Sequence, residues 1–362
     1  MKLTKNKGEW SEFYVMLKVL VDQKLYAADE NLNVISETFY PVLTVIAGKD
    51  TAKQRNYELD EKSEEIKILD PKNGEFKTIN KSVINNKLKD IFRIIKSSAK
   101  TFEIESAQNL RDKLECSSIK SGSNKKTDIV LVVHDWATGM KPEIGFSIKS
   151  QVGSNPTLFN AGKNTNFTYF IKDGNVDVER INGISSSSKV RDRIKAIEEA
   201  GGTLEYESME GKVFEKNLRM IDLAMPEIIS EMLKVFYEGK GNRIADIVSQ
   251  LEKENPLQKI LPNFDPDFYK HKIEQFLVAV ALGMMPGKPW DGKVETLGGY
   301  IIVKEDGDVV CYHLLNLDKF KGYLFKSTRL ETASTTRHQF ATIYKEDGKL
   351  KMKLNFQVRF TE

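Results

Sequence analysis

Two residues in the middle of the chain, Asp128 and Lys149, have the types and the spacing of a phosphodiester-cleaving site. Cleaving a phosphodiester bond needs a metal ion to neutralise developing charge, a positioned water, and a group that orients or deprotonates that water. The pattern Asp-xn-(Asp/Glu)-x-Lys supplies these groups from two strands. Its carboxylates and the backbone carbonyl before the lysine bind the metal, and the lysine faces the water. In this chain the pattern is Asp128, Ser147, Ile148 and Lys149.

The elements that would hold these residues are two strands joined by a turn. Residues 127–133 are rich in β-branched side chains, residues 144–150 form a second strand-like run, and a Thr-Gly pair lies between them. If the chain turns at Thr138 and Gly139, Asp128 lies directly opposite Lys149, and cross-strand partners share a face. We therefore expect a carboxylate and an ammonium to meet at the open end of this hairpin.

The same spacing also has a purely structural interpretation. An acidic residue followed later by a lysine is common in proteins, and a cross-strand ion pair of Asp128 and Lys149 would add at most ~1 kcal/mol to stability. Four features favour the catalytic interpretation. They are the hairpin, the shared face, the nearby Gly145, which would leave room for a phosphate, and the polar loop that follows the lysine.

Composition and charge are those of an ordinary soluble globular protein. The chain has 362 residues, of which 40% are hydrophobic and 30% charged, and no apolar run approaches the ~20 residues of a membrane span. The polar N-terminus lacks a signal core, so we expect a cytoplasmic location and no membrane partner. A net charge of +3 does not by itself indicate nucleic-acid binding. Basic residues gather at residues 87–100, 120–126 and 319–337, where solvated faces are the alternative.

Cysteine and histidine suggest no zinc site. Cys116 and Cys311 lie in unrelated segments, and the four histidines lack the spacing of zinc ligands. We expect both cysteines to be reduced and structural.

Periodicity outlines the remaining elements and favours a mixed α/β fold. Apolar residues at helical spacing predict helices at residues 9–21, 80–102, 187–200, 214–237 with a break at Pro226, 244–254 and 266–284. Strand-like runs predict strands at residues 167–171, 177–181, 300–303, 309–313, 339–344 and 350–358. The methionine-bearing stretches at residues 218–232 and 276–285 are expected in the core, with a homodimer interface as the alternative.

Three separated segments of the chain resemble the HpaII family of type II restriction endonucleases. They are KGEWSEFY with YAADENLN near the N-terminus, TDIVLVV and FSIKSQVGSNPTLFNAGKNTNF in the centre, and TRLETASTTRHQFATIYKEDGKLKMKLNFQVRF near the C-terminus. The resemblance implies a restriction-endonuclease-like PD-(D/E)xK fold with a central mixed sheet flanked by helices. It also implies Mg2+ dependence and cleavage of double-stranded DNA at CCGG, within the first C-C step, leaving a 5′ overhang. A cognate DNA methyltransferase is implied as a functional partner.

Ser147 departs from the pattern, because a hydroxyl cannot replace an anionic metal ligand. Glu12 is the preferred substitute, since enzymes of the resembled fold often bring a helical glutamate to the metal; a solvated helix glutamate is the alternative. Glu143 shares the face but lies about 13 Å along the strand from Ser147, too far to bind the same ion. Gln151 lies on the lysine's face and could orient water or a ligand, whereas Asp135 points to the opposite face.

Base recognition is expected from the polar run at residues 327–338. Arginine bonds guanine O6 and N7 bidentately, so Arg329 and Arg337 are the predicted readers of the two guanines, and Glu331 would accept from cytosine N4. Thr335, Thr336 and His338 belong to the same run. A turn-rich β linker is the alternative.

The loop at residues 154–166 is expected to hold the DNA backbone. Its members Asn155, Asn160, Lys163 and Asn164 would bind phosphates, a role that carries no sequence information.

We expect three regions along the chain, although no linker marks a clean boundary and one compact domain is the alternative. Residues 1–186 would form the nuclease core, residues 187–297 a mainly helical region, and residues 298–362 a β region that completes a DNA cleft.

Two other functions are compatible with the residues. A nuclease-fold protein that binds DNA without cutting would explain Ser147, and a repair or junction nuclease would share the same core.

Overall fold

The computed structural model describes residues 3–119, 127–135, 139–153 and 155–361. The predicted loop at residues 121–126, Thr138 of the predicted turn and Ser154 lie outside the described residues. The helices are α1 (Lys7–Asp22), α2 (Lys81–Ser97), α3 (Glu105–Lys113), α4 (Val178–Asn182), α5 (Lys189–Glu199), α6 (Lys212–Ile221), α7 (Met225–Tyr237), α8 (Ile244–Glu254), α9 (Asp267–Leu282), α10 (Leu317–Lys326) and α11 (Thr335–His338).

The strands fall in both halves of the chain. They are β1 (Lys5–Asn6), β2 (Lys24–Ala28), β3 (Val34–Ala47), β4 (Arg55–Glu58), β5 (Glu65–Leu69), β6 (Phe76–Asn80), β7 (Thr101–Phe102), β8 (Ile129–Val133), β9 (Glu143–Ser150), β10 (Thr157–Phe159), β11 (Asn166–Lys172), β12 (Thr203–Met209), β13 (Gly299–Val303), β14 (Val309–Tyr312), β15 (Thr328–Leu330), β16 (Ile343–Glu346), β17 (Lys349–Asn355) and β18 (Val358–Phe360). Among the described helices, none combines the length and apolar character that a membrane span requires.

The chain divides into two units, each built from two separate stretches of sequence. The first unit comprises Met1–Pro156 and Val294–Tyr323, and the second comprises Thr157–Lys293 and Leu324–Glu362. These divisions do not coincide with the expected boundaries at residues 186 and 297. The physical reason is strand pairing, because β13 and β14 join the sheet of the first unit whereas β15 to β18 belong to sheets of the second.

The first unit contains a mixed sheet in the order β2-β14-β13-β9-β8-β3-β4-β5-β6. Strand β13 is parallel to β9, and β14 is parallel to β2, whereas the other neighbours are antiparallel. Strand β2 also pairs with β3, which closes a ring of six strands. In order, these strands are β2, β14, β13, β9, β8 and β3. The expected α/β class with a central mixed sheet is confirmed.

Helix α1 forms the centre of the core in the first unit. Asn6 caps it, since the Asn6 side chain accepts from the Glu9 amide at 2.9 Å and Glu9 bonds back to the Asn6 amide at 3.1 Å. Trp10 and Leu17 are fully buried, so the predicted amphipathic helix at residues 9–21 is confirmed. The second predicted helix ends at Ser97 rather than at 102, because residues 101–102 pair with β1.

The second unit contains two smaller sheets, ordered β10-β18-β15 and β12-β11-β17-β16, together with helices α4 to α9 and α11. Pro226 lies in the first turn of α7, so the predicted break in the helix at residues 214–237 is confirmed. The apolar faces of α7 and α9 are buried, as expected for core helices.

One strand prediction in the second unit is wrong, and two others differ from the structure in their bounds. Residues 177–181 were expected to be a strand but belong to α4, because the Asp177 carboxylate caps that helix by accepting from the Arg180 amide at 3.0 Å. The predicted strand at 339–344 begins only at Ile343, since α11 ends just before it with Gln339 in the left-handed region, at φ 54°. The predicted strand at 350–358 is two strands, β17 and β18.

Candidate active site

The hairpin that carries the predicted site is present, but its register differs from the expected one. Ile129 lies opposite Phe146 and Val132 opposite Glu143, and the Asp128 amide donates to the Phe146 carbonyl at 2.9 Å. Continuing this register places Asp128 opposite Ser147, so the predicted pairing with Lys149 is wrong by two residues. A shift of two residues preserves the face of every side chain, because strands repeat every two residues.

Asp128 is held by the residue that occupies the second-acid position. Its Oδ2 atom accepts from the Ile148 amide at 2.8 Å and from the Ser147 hydroxyl at 3.1 Å. Ser147 is only 4% exposed, so water has little access to compete for the hydrogen bond of its hydroxyl. The serine therefore orients the carboxylate of Asp128.

A tyrosine from β13 lies beside the same row of residues. Tyr300 is the parallel partner of Ser147, and the Lys149 ammonium lies 5.5 Å from the centre of the Tyr300 ring, within the range of a cation–π contact. Tyr300 is buried, and its ring makes an edge contact with Phe320 at 5.1 Å between centroids. Burial raises the pKa of Tyr300, and the charges of Tyr323 and Asp128 act in the same direction.

Sequence analysis did not find Tyr300 as a site residue. Its strand was predicted, but the parallel pairing of β13 with β9 joins segments about 150 residues apart in sequence, and local pattern does not encode such a pairing.

Gly145 has a role beyond the predicted one. A Cβ atom at this position would lie 2.5 Å from the Thr127 side chain. The absence of a side chain therefore accommodates Thr127, and the expectation that Gly145 leaves room for a phosphate stays a prediction.

Glu12 lies on a helix that contacts β9, and Gln151 is the residue directly after β9. Glu12 is half-buried on α1, and the neighbouring Ser11 hydroxyl donates to Ser150 Oγ at 3.0 Å. Because Ser150 and Lys149 point to opposite faces of β9, α1 packs against the face opposite the lysine. Gln151 follows the strand directly, and its backbone amide donates to the Val303 carbonyl at 2.9 Å. Their catalytic roles stay predictions.

The donor set at Asp128 is compatible with a hard divalent cation. Within the described residues, no group of three His, Cys, Asp or Glu side chains could hold a metal. The Asp128 carboxylate and the Ile148 carbonyl offer oxygen ligands, and Mg2+ commonly binds one or two carboxylates while keeping waters and substrate phosphate oxygens. The residues thus fit Mg2+ with a partly solvated shell. Glu143 contributes nothing here, since it pairs with Lys49.

The loop residues predicted to hold phosphates are divided between the units. Asn155 belongs to the first unit, and Asn160, Lys163 and Asn164 are exposed in the second. Asn355 fixes the base of this loop by donating to the Gly162 carbonyl at 2.8 Å.

The run predicted to read bases forms β15 and the short helix α11. Thr335 and Thr336 line a groove of about 440 Å3 in the second unit together with Lys189, Tyr344 and Lys353. Arg337 is exposed, whereas burial and the charge of Arg337 lower the pKa of His338. His338 therefore adds less positive charge to this segment than an ordinary histidine would.

Comparison with known proteins decides the family. The model of the HpaII restriction endonuclease family matches residues 6–360. The chain belongs to this family. It is 38% identical over 361 residues to the type II restriction enzyme HpaII of Haemophilus parainfluenzae, with 98% of each chain covered. No solved structure matches the chain.

Membership in the HpaII family confirms the resemblance that the three sequence segments indicated. The chain is thus a restriction endonuclease, a nuclease that binds double-stranded DNA. This family membership gives a chemical context to Asp128, Ser147 and Lys149, because hydrolysis of a phosphodiester bond needs developing charge to be neutralised and a water to be positioned.

Proposed function

We propose that this chain hydrolyses double-stranded DNA at CCGG with Mg2+ as cofactor, using the PD-(D/E)xK arrangement of β8 and β9. The observation that carries the proposal is the Asp128 carboxylate, fixed by the Ile148 amide at 2.8 Å, on the face of the hairpin that also carries Lys149. The CCGG site comes from the family resemblance of the sequence.

Each residue has a stated role in the proposed mechanism. Asp128 and the Ile148 carbonyl would hold Mg2+. Glu12 would supply the charge that Ser147 cannot only by reaching past the end of β9, because α1 packs against the face opposite Lys149. The bound ion would neutralise charge on the phosphate and lower the pKa of its water. The Lys149 ammonium, beside the Tyr300 ring, orients the attacking water, whose proton passes to solvent, and Gln151 orients water or a ligand. In-line attack then releases a 3′-hydroxyl and a 5′-phosphate.

Substitution of the two central residues tests this function. Asp128→Asn and Lys149→Ala should each abolish cleavage of a CCGG duplex, while binding to the same duplex in Ca2+ persists for Lys149→Ala. Unchanged cleavage by either variant would remove the basis of the proposal.

The absence of a second carboxylate at position 147 favours one other candidate, a protein that binds DNA without cutting it. Strong duplex binding without turnover under any divalent metal would support that candidate. Comparable cutting of branched DNA and of duplexes lacking CCGG would instead indicate a structure-specific repair nuclease.

We further propose partners that follow from restriction at CCGG. A cognate methyltransferase would protect host sites in the cytoplasm. Because CCGG reads identically on both strands, a homodimer with twofold symmetry would present one active site to each strand. Light scattering of the protein with and without a CCGG duplex measures that stoichiometry.

A further inference from the structure

Three arginines in the second unit lie side by side across neighbouring backbone segments. Arg329 of β15 pairs with Arg359 of β18, and Arg329 also forms an antiparallel bridge with Arg243. Cross-strand partners share a face, so the three side chains form one row, which we call the arginine row. At about 4.8 Å per strand the row spans about 10 Å.

The arginine row faces outward from its sheet. The neighbours of Arg329 and Arg359 along β15 and β18 are buried, whereas Arg329 and Arg359 are 31% and 32% exposed. Arg243 is exposed. The strand alternation thus directs apolar residues to the core and the guanidinium groups toward solvent.

One carboxylate contacts two members of the row. Glu331 Oε2 lies 3.1 Å from the Arg329 guanidinium, and Glu331 Oε1 lies 3.5 Å from that of Arg359. Both oxygens are thus engaged within the protein, which leaves Glu331 poorly suited to accept from a cytosine amino group. Its contacts hold the two guanidinium groups in place.

The arginine row is costly without a ligand. Like charges directly opposite each other destabilise a sheet, and one glutamate offsets only part of the three positive charges. In the described part of the chain, the buried Nε atoms of Arg329 and Arg359 have no hydrogen-bond partner. The positive charge of three guanidinium groups on one outward face matches an anionic oxygen ligand.

We propose that the arginine row binds the phosphate backbone of duplex DNA and that Glu331 is the positioning residue that organises it. The inference rests on the proposed cleavage of duplex DNA. The major groove is about 12 Å wide and admits a helix or a two-stranded ribbon. The face that carries the row is wider, since it spans β10, β18, β15 and the segment at Arg243. Arg329 therefore contacts phosphates rather than guanine edges.

Salt-dependent binding distinguishes phosphate contact from base readout. Fluorescence anisotropy of two labelled duplexes, one with and one without CCGG, is measured in Ca2+ for the full-length protein from about 50 to about 200 mM KCl. Arg243→Gln and Arg359→Gln should each weaken binding to both duplexes by a similar factor, about fivefold near physiological salt. Each should also reduce the slope of log K against log salt by about 0.9.

Two further variants complete the test. Arg359→Lys should restore most of the slope, because it restores the charge. Lys195→Gln, which removes a positive charge from an exposed position of α5 in the same unit, should leave the slope unchanged. Circular dichroism of each variant confirms that it is folded.

The outcomes separate this inference from the proposed function. Unchanged slopes in both glutamine variants, or weakening for the CCGG duplex alone, would overturn the phosphate role of the arginine row. If wild-type protein binds both duplexes equally and cuts neither in Mg2+, the proposed cleavage fails, while the slopes still decide the role of the row.

Discussion

Replacing Ser147 by alanine should raise the Mg2+ concentration that cleavage requires. The serine donates one of the two hydrogen bonds that Asp128 Oδ2 accepts, at 3.1 Å, and the Ile148 amide donates the other. A hydrogen bond to a charged group contributes about 1.5–3 kcal/mol. Asp128 is half-buried and keeps the Ile148 bond, so we take the lower value. About 1.4 kcal/mol corresponds to a factor of ten, which predicts a tenfold rise in the Mg2+ concentration for half-maximal cleavage.

The assay is the initial rate of cleavage of a short CCGG duplex over a Mg2+ titration. Ser230→Ala is the matched control, since Ser230 is a buried serine of the second unit whose hydroxyl donates to the Glu227 carbonyl at 2.7 Å. We expect a normal Mg2+ midpoint for this control. A Ser147→Ala midpoint equal to that of wild type, or an equal shift in both variants, would refute the role assigned to Ser147.

Other predictions concern Tyr300, position 147 and His313. Tyr300→Leu removes the ring beside Lys149. It should lower kcat about five- to thirtyfold, which corresponds to the ~1–2 kcal/mol of a desolvated cation–π contact. Tyr300→Phe should retain most of kcat, and an equal loss in both variants would count against the contact. Ser147→Asp places a second carboxylate beside Asp128, so Ca2+ should raise the melting temperature more than in wild type, and an equal rise would count against a metal at this position. Burial lowers the pKa of His313, whose Nδ1 accepts from the Leu315 amide at 3.0 Å. The unfolded chain thus binds more protons than the folded chain below about pH 6.5. The urea concentration at the midpoint of unfolding should therefore fall more from pH 7 to pH 5 in wild type than in His313→Asn, whose side chain retains an acceptor. An equal pH dependence in the two proteins would contradict this.

Local pattern predicted the elements that carry the proposed catalytic residues. The apolar spacing of α1 and the β-branched run at β8 are strong signals, and α8 has the predicted bounds, Ile244–Glu254. The faces of Asp128, Ser147 and Lys149 were also predictable, because side-chain alternation survives a register error of two residues. The register itself depends on the geometry of the turn, which the Thr-Gly pair alone did not specify.

Elements with weak local signals were missed. Strand β12 (Thr203–Met209) has an irregular burial pattern and follows from its pairing with β11, and helix α3 has only two buried residues. The arginine row could not be predicted from the sequence for a related reason. Arg243, Arg329 and Arg359 are isolated in sequence, and only the pairing of three distant segments brings them together.

The central claim is that Lys149 and a divalent metal cut DNA at CCGG. Its most direct test is digestion of a sequenced plasmid by purified protein in Mg2+, with Lys149→Ala and an EDTA control, followed by mapping of the fragment ends. We predict discrete 5′-phosphate ends at CCGG that disappear in both controls. Cleavage that persists in Lys149→Ala, or ends scattered over unrelated sequences, would contradict the claim.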